Sequence, residues 1–148
     1  MELFANIKKK ILALDTDQMI TDYVAKNQEE LTGDQISQWD EGLSNEGKKF
    51  VNKQTGKATY TKAYKRLKEK RGIPANVINL KLENDFRRLT TVFTVNREVL
   101  YTSLDKKKDS VECQYDDVLG PTDENLNKLK EGLKEFIGNE IRNELQNT

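Results

Sequence analysis

The sequence predicts an α+β protein: an antiparallel meander of three to four strands, with long N-terminal and C-terminal helices packed on one face. Three observations predict it. Apolar residues recur at helical spacing near both ends of the 148-residue chain. They alternate with polar ones across 76–117. Between these regions lies a glycine- and lysine-rich stretch with neither period. The length fits one domain over 1–148 with its own core. It divides into an N-terminal helical segment (1–33), a long basic loop with a short helix (34–75), a sheet (76–117) and a C-terminal helix (121–146).

Phe4, Ile7, Ile11 and Leu14 form one stripe on a first helix. Asp15-Thr16-Asp17 offers capping oxygens for a new start or a kink. Ile20, Val24 and Leu31 continue the pattern, flanked by Met19 and Tyr23, and Gly33 is placed to end the helix as its C′ residue. Residues 34–61 read as a long loop with a short strand around QISQW. Trp39, the only tryptophan, has two readings there: a core anchor at the loop entrance, or an anchor of an interface. TKAYKRLKEKRG, 61–72, reads as a short helix stopped by Gly72 and Pro74.

From 76 the period changes to two. NVINLKL, LTTVFTV, EVLYTSL and SVECQYD each read as strands, with a hairpin at Asn96-Arg97 and a turn at DKKKD. Thr122 then caps a helix whose first turn carries Asp123 and Glu124. Its apolar stripe runs from Leu126 to Leu145.

Composition excludes several chemistries. The chain has no histidine, so it holds no Ser-His-Asp or Cys-His pair and no His-based metal site. The single Cys113 excludes an internal disulfide. No phosphate-cradling glycine loop occurs. Asp116-Asp117 and Asp15 with Asp17 read as turn and helix-start residues. No apolar run approaches the ~20 residues of a membrane span, and the amphipathic start is not the pattern of a cleaved signal. The chain is therefore expected to be non-enzymatic, without cofactor or metal, and without membrane contact.

Charge is the most informative feature. The formal net charge is zero, yet residues 48–72 carry ten Lys or Arg against one acid, Glu69. Residues 1–47 carry four bases and ten acids, and 73–148 carry eleven and fourteen. Lys57, Lys62, Lys65, Arg66, Lys68, Lys70 and Arg71 are the candidate partner or DNA contacts. Such a stretch is a solvated surface, a match for an acidic protein surface (another copy included), or a match for phosphates. Tyr60 and Tyr64 lie among the bases, either as base-stacking rings or packed down on the body.

Four stretches carry a resemblance: QISQWDEGLSNEG (35–47), YTKAYKRLKEKRG (60–72), VINLKLENDF (77–86) and VLGPTDENL (118–126). In order and spacing they resemble small virion-assembly proteins of tailed phages and prophages of Bacteroidota, including crAss-like phages. Those proteins show "Q-L-x-x-G-x-D-x-x-G", "Y-[ST]-x-x-[TY]-x-x-x-K-x-x-x-G", "V-x-L-x-x-T-G-x-[FL]" and an acidic "lGL-[ST]-x-E-x-L" helix start. Here Glu83-Asn84 stands where they have Thr-Gly, and QISQW lacks their Leu and Gly. The resemblance spans roughly residues 15–146. It implies a structural neck or tail subunit, a head–tail connector or tail-completion protein. Such a subunit forms homo-oligomeric rings, touches portal, connector or tail proteins, and joins the virion in the bacterial host cytoplasm. The alternative is a small nucleic-acid-binding protein using the basic 48–72 stretch.

Overall fold

In the computed structural model, which describes residues 2–12, 14–81 and 85–147, the elements follow in the order α1 (Glu2–Leu12), α2 (Thr16–Lys26), α3 (Gln28–Asp40), α4 (Lys62–Lys70), α5 (Asp85–Arg88), β1 (Thr90–Val95), β2 (Glu98–Ser103), α6 (Lys108–Gln114) and α7 (Asp123–Gln146). The architecture is α+β, with helices at both ends and, among the described residues, one two-stranded antiparallel sheet. The expected third and fourth strands do not form among the described residues.

The break after α1 is a true restart. Asp15 caps α2 by accepting from the Gln18 amide, and Thr122 caps α7 by accepting from Asn125. The side chains of Phe4 and Ile11 lie outside the described residues, as do residues 82–84 with the Glu83-Asn84 turn. Helix α3 runs through Gly33 and absorbs QISQW, so the loop begins later than expected. Its C′ glycine is Gly42, at φ 73°, not Gly33. A β-carbon at Gly42 would stand 3.1 Å from Val77 Cβ and 3.2 Å from the Ile78 carbonyl oxygen, so both backbone and space require glycine.

Two expected strands fail for identifiable reasons. At 77–82, the Asn79 and Leu80 amides both donate to the Tyr60 hydroxyl (3.1 Å each) instead of to a neighbouring strand. Leu80 then turns left-handed (φ 59°), which breaks the alternation. SVECQYD is mostly α6. Val111 and Tyr115 sit four residues apart and pack on one cluster, a helical spacing hidden inside an apparent alternation. Cys113 is an exposed helix residue and not a strand residue.

The hairpin forms where Asn96-Arg97 places it. Both residues have positive φ (48° and 72°), as a two-residue turn matched to strand twist requires. The register pairs Thr90 with Ser103, Val92 with Tyr101 and Val95 with Glu98. The inner face meets α2, α3 and α7 around Val24, Leu31, Val92 and Leu129. A second cluster gathers Trp39, Phe50, Ile78, Phe86, Tyr115 and Val118. Helix α3 supplies residues to both clusters.

Between them, α3 side chains hold the irregular strap at 118–122. Trp39 Nε1 donates to Val118 O (2.9 Å), and Gln35 Oε1 accepts from Gly120 N (2.9 Å). Gln38 accepts from Thr122 N (2.9 Å) and donates to Gly120 O (3.0 Å). Helices α2 and α7 approach so closely at Gly132 that a β-carbon there would lie 1.9 Å from the Tyr23 hydroxyl. Gly132→Ala is expected to push the Tyr23 ring off Phe136, 5.6 Å away, and to cost about 1–3 kcal/mol in urea unfolding. An unchanged midpoint would show that the ring swings aside freely.

Candidate functional site: a cationic helix face and an uncovered hairpin

Helix α4 is capped by Thr61, whose hydroxyl accepts from the Tyr64 amide, and Gly72 (φ 71°) follows its C-cap Arg71. This short helix sorts its charges unexpectedly. Lys57, Lys62, Lys65, Arg66, Lys70 and Arg71 are exposed, and none makes an ion pair among the described residues. Leu67, 39% exposed, is the apolar residue among them. The bases just before the helix differ: Lys48 pairs with Glu46 (3.4 Å), and Lys53 with Asp116 (2.7 Å).

Lys68 is the correction within the predicted set. It is fully buried and is not available to a partner. Its Nζ donates to Asn79 Oδ1 (2.5 Å) and lies 4.1 Å from the centroid of the Tyr60 ring. Burial, then the nearby Arg87 and Lys81 charges, push its pKa down to about 8. Arg87 is itself buried. It pairs with Asp40 at 2.7 Å, while its Nε and Nη1 have no partner among the described residues. Trp39 is corrected in the same direction: it is wholly buried within its own chain, which fits the core reading and not that of an exposed interface anchor.

The two tyrosines also face inward. Tyr60 is taken up by the Asn79 and Leu80 amides, and Tyr64 packs on it with ring centroids 4.9 Å apart. Burial raises the pKa of both. Both rings are only partly exposed, so the basic stretch presents mainly cations.

A second surface escapes sequence reasoning. The hairpin's outer face carries Phe93, Val95 and Leu100, each more than a third exposed, with Leu104 just beyond β2 at 71%. On the β1 edge, Gln28 Nε2 donates to Val92 O and Thr91 Oγ1 (2.9 Å each). No backbone hydrogen bond joins the outer edge of β2 to another element among the described residues. Beside that edge runs an open groove of about 490 Å³, lined by Val99, Tyr101, Leu119, Pro121, Leu126 and Leu133 among others. The signal was legible: TTVFTV and EVLYTSL are apolar at both parities, which demands a cover on both faces.

A second open groove, of about 430 Å³, is acidic and lies between the end of α3, the 43–47 turn and the start of α7. Asp34, Glu41, Glu46, Asp123 and Glu124 line it. Among the described residues no group of acidic or cysteine side chains is arranged to hold a metal ion. No described helix is long and apolar enough to cross a membrane. The chain matches no protein-family model, no curated protein and no solved structure.

Proposed function

We propose that the protein is a non-enzymatic structural subunit of a phage virion, a neck connector or tail-completion protein that works through contacts in a ring. The observation that carries this reading is the uncovered apolar face of the hairpin beside an unpaired strand edge. Apolar residues make up only 35% of the chain, yet Phe93, Val95, Leu100 and Leu104 stay in contact with water. Contiguous exposed apolar surface of this kind marks a protein contact, and a free edge is a template for pairing with another chain. The unpaired cations of α4 add a second outward surface. The order of the four motifs supplies the virion setting, and other virion proteins and further copies of this chain are the partners.

Particles of the phage or prophage that encodes the chain provide the test. Peptide mass spectrometry of purified particles is expected to find the protein. A Phe93→Thr, Leu100→Lys variant is expected to keep its thermal midpoint and to drop out of particles. Particles lacking the wild-type protein, or incorporating the variant equally well, would overturn the reading.

A further inference from the structure

We infer that the outer face of α4 binds the phosphodiester backbone of duplex nucleic acid without reading bases. This names the partner of a surface that the proposed function leaves open, and it rests on that reading only for its setting. The charge argument comes first. Lys62, Lys65, Arg66 and Lys70 on α4, Lys57 before it and Arg71 at its cap are exposed with one acid, Glu69, among them, and none forms an ion pair with a carboxylate among the described residues. A row of unpaired cations on a nine-residue helix with its flanks complements a regular line of phosphates.

The second argument separates phosphate from an acidic protein surface. The centre of a protein interface is depleted of charge and anchored by aromatic side chains. The aromatic residues of this stretch are turned inward: Tyr60 binds two backbone amides, and Tyr64 stacks on Tyr60. What remains outside is charge with one half-exposed leucine. The same inward turn commits one face of each ring to the other, which leaves less for the base stacking that single-strand binders use. Backbone contact without base contact gives affinity and steep salt dependence but no sequence preference.

The buried Lys68 sharpens the test, since it is excluded from the contact set. The experiment is fluorescence anisotropy of the full chain with a labelled duplex of about 30 base pairs and with one of its strands, across about 50–200 mM salt. With four or more phosphates engaged, log K is expected to fall with log salt at a slope of about −4, a loss of at least a hundred-fold over that range. The duplex is expected to bind at least as tightly as the single strand. Replacing Lys62, Lys65, Arg66 and Lys70 with Gln touches only exposed side chains. It is expected to flatten the slope by about one unit per residue and to weaken binding at least ten-fold at low salt.

Wild-type binding that ignores salt, or a quadruple variant that binds as the wild type does, overturns the inference. A single strand that binds more than ten-fold tighter overturns its backbone-only character. Self-association at low salt that the four replacements abolish, without duplex binding, assigns the face to an acidic protein partner instead. Loss of duplex binding by a chain still found in particles removes this inference and leaves the subunit reading intact. The reverse result does the opposite.

Discussion

Trp39→Ala is expected to cost about 3–5 kcal/mol, a large share of the roughly 5–15 kcal/mol that holds a domain folded. The indole has no solvent exposure, lies 5.1 Å from the Phe86 ring, and is surrounded by Phe50, Ile78, Tyr115 and Val118. Those neighbours come from separate stretches of chain that have no sheet to join them, so the indole holds them together and its removal leaves a cavity they share. Its Nε1 also satisfies the Val118 carbonyl oxygen. Trp39→Phe keeps most of the ring and orphans that oxygen, so a smaller loss of about 1–2 kcal/mol is expected. Urea unfolding followed by far-UV circular dichroism separates the two. A Trp39→Ala protein that stays folded but no longer assembles would restore the interface role that burial argues against.

Lys68 gives the second large effect, with the opposite sign. Its pKa falls from the ordinary 10.5 to about 8 in the folded chain. Between those values the unfolded chain holds the proton and the folded chain does not. The unfolded state thus binds more protons, and stability rises with pH across this window. A gain of about 2 kcal/mol is expected between pH 8 and 9.5. Above pH 10 the trend reverses. Tyr60, Tyr64 and Tyr115, all raised by burial, and Tyr101, raised to about 12, stay protonated in the fold while the unfolded chain loses their protons. Maximum stability is therefore expected near pH 9–10.

Lys68→Met removes the buried charge while keeping the packing volume. It is expected to stabilise the protein at pH 7 by about 1–3 kcal/mol and to abolish the rise above pH 8. The Asn79 Oδ1 left behind still accepts from the Lys81 amide (3.1 Å). A destabilised Lys68→Met protein would mean that the Tyr60 contact and the Asn79 bond outweigh the cost of burying the ammonium group.

The parts of the fold legible in the sequence were those set by local chemistry. Asp15 and Thr122 cap helices because a short polar side chain can reach an amide three residues on. Asn96-Arg97 turns a hairpin because two β-branched runs flank it at hairpin distance. The stripe of α7 follows the helical period. NVINLKL (76–82) and SVECQYD (110–116) read as strands because period two is a weak signal in short runs. A tyrosine hydroxyl from residue 60 captured the amides in one case, and a four-residue spacing competed in the other. Gly33 looked like a helix end because glycine is permissive. It is tolerated inside α3, whereas Gly42 is required.

The candidate surface divides in the same way. That positive charge is gathered in 48–72 is a property of the sequence, and the six exposed cations of α4 and its flanks lay within the predicted set. Lys68 could not be told from them, because a lysine looks the same in sequence whether it faces water or an aromatic ring. Which side of the hairpin would stay bare depended on how many helices reached it.

The sequence alone determined the helix starts, the hairpin turn and the segregation of charge, since each depends on neighbours within a few residues. Only the tertiary structure decided that Trp39, Tyr60 and Lys68 face inward and that Phe93 and Leu100 face out. Those outcomes rest on contacts between segments tens of residues apart, where burial and hydrogen-bond satisfaction outweigh local preference.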